Sequence, residues 1–173
     1  MYNIKDEKKG PIMPKTNIIF LFFVVLTLIT LITVNFTGKN QDKVFEESFQ
    51  KYEYAISLLE KTDKNSNEIE TAIKILNDLN KQQPGSVAIT QNLGIAYAMK
   101  EDYSSAARQY KKALEIKPFL STEPIFMLQF GEMLYFSNQK QEAKLVLEKA
   151  KTLYGQEVDE KYHSRVDELL GTI

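Results

Sequence analysis

The chain offers little that could do covalent chemistry. His163 is its only histidine and it has no cysteine. Neither a histidine pair for a metal, a thiolate zinc site nor a cysteine nucleophile can therefore form. His163 stands beside Tyr162 on a helical stretch and reads as a surface or partly packed residue. Acidic pairs occur at Glu46-Glu47, Glu101-Asp102 and Asp159-Glu160. Paired carboxylates do acid–base work only in a cleft that moves their pKa values. These lie at helix starts or on polar faces, and Asp102 reads as a helix N-cap. There is no Gly-rich phosphate loop. The basic stretches Lys111-Lys112 and Lys140 to Lys151 are interleaved with Glu115, Glu142 and Glu148, which suits ion pairs one helical turn apart better than an anion patch. Asn35-Phe36-Thr37 matches a glycosylation acceptor, at the edge of an apolar run. The expectation is a protein without catalytic residues, cofactor or metal, and so not an enzyme.

What the chain does supply is apolar surface at regular spacing. Its net charge is −1, which provides no basic field for a phosphate backbone and excludes nucleic acid as a partner. Aromatic residues are Phe and Tyr at helical spacing, the pattern of core filling. Residues 1–15 form a Lys-rich tail in which Gly10, Pro11 and Pro14 prevent regular structure. Every residue from Thr16 to Gly38 is uncharged, and Ile18 to Phe36 reads IIFLFFVVLTLITLITVNF. At a rise of about 1.5 Å per residue this run covers the hydrocarbon core of a bilayer, about 30 Å. A cleaved secretory signal would be shorter and end at small residues; here Phe36 stands before Gly38. A transmembrane helix is predicted over 16–38. Thr27, Thr30 and Thr33 lie on one side of it, where each hydroxyl can bond its own helix's carbonyls. Lys5, Lys8, Lys9 and Lys15 precede the run and Lys39, Lys43 and Lys51 follow it. That bias, with the short leading tail, predicts a cytoplasmic N-terminus and an extracytoplasmic remainder.

After a polar connector, 39–43, the apolar residues keep a helical period. Phe45, Phe49, Tyr52, Ala55, Leu58 and Leu59 begin it. Ala72, Ile75, Leu76 and Leu79 continue it to Pro84-Gly85, with Thr62 to Asn67 as a loop. In Leu93-Gly94-Ile95-Ala96-Tyr97, Leu93 and Tyr97 share a face. Ala106, Tyr110 and Ala113 follow at i, i+4 and i+7 on a second helix that Pro118 stops. Gly94 and Ala106 are small where two helices must approach closely. This resembles the tetratricopeptide repeat, a helix–turn–helix unit of about 34 residues with an L-G-x-x-Y…A-x-x-x-F/Y signature. An echo follows at an offset of 37: Gly94 to Gly131, Ala106 to Ala143, Tyr110 to Leu147, Ala113 to Ala150. Phe130 and Leu134 take the places of Leu93 and Tyr97, the surplus residues fall in Phe119 to Glu123, and Gly155 caps the last pair. The first pair matches through Ala72, Leu76, Leu79 and Pro84, and a lengthened loop puts Ala55 where Gly94 stands.

The resemblance implies an all-α solenoid of three helix pairs over 44–155, near 44–61/68–82, 87–100/103–116 and 124–137/140–153. A capping helix within 156–173 would present Tyr162, Val166, Leu169 and Leu170 on one face. It also implies protein or peptide partners. By register, their groove would be lined by Tyr52, Ile56, Gln91, Ile95, Met99, Ile125, Leu128, Glu132 and Phe136. Some members clamp a partner's terminal carboxylate with Lys, Arg and Asn. Here only Asn92 fits; Tyr52, Ile56, Ile125 and Gln129 stand where the other clamp residues would, and a carboxylate would lack its cations. The expected function is a membrane-anchored docking module, which in a bacterium would resemble tethered repeat proteins of the envelope; the alternative is a permanent subunit of a membrane complex.

Overall fold

The computed structural model describes residues 15–61, 66–153 and 159–173, with side chains described outside 15–21 and 31–41. Seven α-helices follow one another among these residues: α1 (Lys15–Glu60), α2 (Ser66–Gln82), α3 (Val87–Met99), α4 (Tyr103–Ile116), α5 (Pro124–Phe136), α6 (Lys140–Thr152) and α7 (Glu160–Gly171). A short 3-10 helix, Pro118–Thr122, joins α4 to α5. It holds the residues by which the third pair exceeds the usual repeat length. No strand occurs among the described residues. The expected tail, most of the 62–67 loop and the Gly155 cap lie outside them.

The chain divides into two units, Met1–Glu47 and Ser48–Ile173. In the first, α1 runs helically through the expected connector at 39–43. Phe22, Phe23, Val24, Val25, Leu26, Leu28 and Ile29 are all exposed. Thr27 Oγ1 donates to Val24 O and Thr30 Oγ1 to Thr27 O, each at 2.8 Å. These hydroxyls thus bond their own helix, while Thr33 lies outside the described side chains. Among the described residues no helix is long and apolar enough to cross a membrane, where the sequence predicts a span over 16–38. The side chains of 15–21 and 31–41, those of the Asn35-Phe36-Thr37 acceptor included, are not among those described.

The second unit is built as helix pairs. Ala55, Leu58 and Leu59 of α1 pack with Ala72, Leu76 and Leu79 of α2 and Ile89, Leu93 and Ala96 of α3. Ala55 is completely buried, as a residue standing in for a packing glycine must be. A second cluster joins Ala106, Tyr110 and Ala113 of α4 to Phe126, Phe130 and Leu134 of α5, to Ala143 and Ala150 of α6, and to Val166 of α7.

The turns within the second and third pairs are one device used twice. Glu101 (φ 63°) and Asn138 (φ 62°) are left-handed, 37 residues apart. Asp102 N donates to Tyr97 O (3.0 Å) and Glu101 N to Ala98 O (2.9 Å), while Gln139 N and Asn138 N do the same to Leu134 O and Tyr135 O. This is the Schellman arrangement, which satisfies carbonyls a helix end would leave unpaired. It turns the chain within three residues, so each helix returns along its partner. Asp102 then caps α4, its carboxylate accepting from Ser105 N at 3.0 Å. The Ser105 hydroxyl donates to the same carboxylate, and these two bonds, the hydroxyl's first and then the backbone's, hold the Asp102 carboxyl below its usual range.

Close approach follows from the glycines. A Cβ on Gly94 would lie 2.8 Å from the Tyr110 ring, and one on Gly131 2.5 Å from Leu147. The two contacts are the same pair of positions at the repeat offset. Tyr97 departs from expectation. Expected to be buried on the Leu93 face, it is half-buried between the two core clusters, and its hydroxyl accepts from Asn77 Nδ2 of α2 (3.3 Å).

Candidate functional site

The first helix of each pair presents one side to the core and leaves another facing outward, and the nine expected groove residues lie on these helices. Tyr52, Ile56, Gln91, Ile95, Met99, Leu128 and Glu132 are half-buried. Ile125 is 54% exposed and Phe136 45% exposed, unusual values for large apolar side chains on a packed helix. Tyr52 and Met99 rest against the first core cluster, Ile95 and Leu128 against the second. Several of the nine therefore do double duty as packing residues.

Polar contacts tie successive helices together beside them. Asn92 Nδ2 donates to the Tyr52 hydroxyl at 2.8 Å, joining α3 to α1. The Tyr110 hydroxyl donates to Gln129 Oε1 at 3.1 Å, joining α4 to α5. Burial, and then the nearby Glu132 carboxylate, raise the Tyr110 hydroxyl far above its usual range, so it remains a donor. Asn92, the one residue that fits the family's carboxylate clamp, is thus engaged with Tyr52 and with Ala88 O (2.9 Å).

α7 extends this face by one helix. Its buried residues Tyr162, Val166 and Leu169 repeat the spacing of Phe126, Phe130 and Met133 on α5 and of Ile89, Leu93 and Ala96 on α3. The helix is capped by Asp159, whose carboxylate accepts from Tyr162 N (3.0 Å), and the Tyr162 hydroxyl donates to Ala150 O (2.9 Å). In this register Asn92, Gln129 and Arg165 are equivalent. Arg165 Nε lies 2.6 Å from Glu132 Oε1 and its Nη1 2.9 Å from Glu168 Oε2. Its guanidinium sits 5.8 Å from the centre of the Phe136 ring, which also packs on Tyr103 at 5.0 Å. Arg165 is not among the nine residues expected from the sequence. The signal available was that Tyr162, Val166 and Leu169 repeat the core spacing of α3 and α5, which marks α7 as a further first helix and Arg165 as a member of its outward face.

His163, Asp102, Asp159 and Lys111 make packing, capping and ion-pair contacts. His163 is half-buried with its ring edge-on to Tyr162 at 5.7 Å. Asp102 and Asp159 cap helices. Lys111 pairs across to Glu142 on α6 (3.3 Å), on a neighbouring helix where a partner one turn along α4 was expected. No group of three or more His, Asp or Glu side chains among the described residues could hold a metal ion.

No family model matches the sequence, and no curated protein does. Solved structures do resemble the fold. The TPR domain of Sgt2 from Aspergillus fumigatus superposes with a TM-score of 0.59 at 16% identity, over 73% of this chain and 78% of that one. The Yersinia enterocolitica type III secretion chaperone SycD, in complex with a peptide of the translocator YopD, gives 0.60 at 20% identity, over 73% and 92%. A second structure of SycD, described as a translocator chaperone, gives 0.58 at 21% identity, over 71% and 80%. At these identities the likeness is one of fold. Among its described residues the chain is helical without strands, in a TPR-like arrangement of helix pairs.

Proposed function

We propose that this protein is a membrane-anchored docking module, in which the outward face of the first helices forms a groove for an apolar segment of a partner protein. The observation that carries the docking is the exposure of Ile125 and Phe136 beside an otherwise half-buried, mainly apolar row. An amphipathic helix or extended hydrophobic segment would gain from burial there, at about 25 cal/mol per Å² before the costs of association. Met99 adds a side chain that repacks easily. The SycD complex, a protein of similar fold holding a peptide, supports this reading.

Ile95 packs on the core cluster, so a charge there would test folding as much as binding. The better probe is Ile125→Glu with Phe136→Glu. This double variant should keep the helical circular dichroism of the parent and lose capture of partner proteins from a membrane extract of the source cells. Retained capture would refute the groove.

The anchor reading rests on the uncharged run from Thr16 to Gly38 and on the exposure of its described residues. In this reading residues 16–38 cross the membrane with the N-terminus cytoplasmic, and the helix pairs stand on the extracytoplasmic side. Because the chain has no cysteine, Asn67→Cys, at an exposed position of α2, supplies a single reporter. It should react with a membrane-impermeant thiol reagent on intact cells. Labelling only after lysis would place the helix pairs inside.

A further inference from the structure

We infer that Arg165 sets the specificity of the docking face by pairing Glu132, the one charged residue among its nine positions, so that the face favours uncharged apolar segments. The inference rests on the docking reading above and names the chemistry of its partner. Glu132 is the only charged residue among the nine groove positions. It is not a freely solvated carboxylate, since its side chain is 21% exposed and that of Arg165 33%. An apolar segment laid over a bare carboxylate would strip its remaining water with nothing in return. Arg165 removes that obstacle from within the chain. One edge of its guanidinium reaches Glu132 at 2.6 Å, and the other is held by Glu168 at 2.9 Å. The planar cation is thereby fixed near the Phe136 ring, 5.8 Å from its centre, leaving Phe136 45% exposed to a partner. Lysine could not make this fork and ring contact together.

α7 therefore does more than cover the last pair. It delivers the countercharge to the groove from the position equivalent to Asn92 and Gln129. Without that countercharge, Glu132 would select against apolar segments and in favour of a cationic side chain, so the ion pair acts as a filter on partners.

The full-length chain in detergent micelles, and two end-capped fluorescent peptides, provide the test. One peptide contains only Leu, Phe, Ala and Ser; the other has a central lysine in place of one leucine. By fluorescence anisotropy the parent should prefer the uncharged peptide. Arg165→Gln should weaken that peptide on the order of tenfold and tighten the lysine peptide. Glu132→Gln added to Arg165→Gln should restore the first and abolish the gain for the second. If Arg165→Gln binds both peptides as the parent does, the inference is overturned. It is equally overturned if the double variant stays weak, because the loss then comes from the packing of α7. A parent chain that binds neither peptide would overturn the docking reading itself, and the inference with it.

Discussion

Replacing Gly131 by leucine is expected to destabilise the folded chain by about 1–3 kcal/mol, the usual range for overfilling a packed contact. Glycine within a helix ordinarily disfavours folding by up to about 1 kcal/mol relative to alanine, so propensity alone predicts the opposite sign. Packing reverses it. The first added carbon would stand 2.5 Å from Leu147 Cδ2 and 2.7 Å from its Cγ. Leu147 is completely buried, and Cγ is not the free end of its side chain, so the two helices must separate. Gly94 faces the same difficulty against Tyr110, whose ring is 2% exposed and whose hydroxyl is tied to Gln129 at 3.1 Å. Urea unfolding followed by circular dichroism should show a lower midpoint for Gly131→Leu. Leu147→Ala alone should cost about 2–5 kcal/mol. Combined with Gly131→Leu it should cost less than the sum, since each change removes the other's fault. An unchanged midpoint for Gly131→Leu would mean that α5 and α6 are not in contact at this point.

Val166→Asp should have the largest effect on α7. Val166 has no exposed surface and lies in the core cluster with Phe130, Leu134 and Ala150. A carboxylate there meets hydrocarbon and no cation, which costs about 3–5 kcal/mol by comparison with other unpaired buried charges. α7 is the last helix, so the least costly response is to leave its seat. That removes the Tyr162 hydroxyl from Ala150 O, a bond of 2.9 Å, and frees Arg165 from Glu132. Hydrogen exchange should then show lost protection in α7 with protection in α2 and α3 retained. Amides of α7 as protected as in the parent would show that this face does not hold the helix.

The helix pairs were legible because they are written in spacing. Ala106, Tyr110 and Ala113 recur as Ala143, Leu147 and Ala150, all buried, and the expected 87–100/103–116 is observed as Val87–Met99 and Tyr103–Ile116. The alignment of the two repeats makes the Gly94–Tyr110 and Gly131–Leu147 contacts equivalent, but that each glycine meets the large side chain, not Ala106 or Ala143, is seen only in the structure. The side chain that completes the outward face was not legible. Arg165 belongs to a helix whose apolar residues look like those of a simple cap, and charged residues on an amphipathic helix give no sign of which neighbour they will meet.

The sequence by itself determined the helical class, the close approaches and the face each helix buries, because these depend on residue size and on a local period of 3.6. It also determined an uncharged run at 16–38, though not by that alone a span. Only the tertiary structure decided which half-buried positions are also packing residues, such as Ile95 and Tyr52. It alone placed Glu132 against Arg165, 33 residues away. An ion pair of that separation is set by how helices stack, and the stacking depends on the sum of many apolar contacts rather than on either charge.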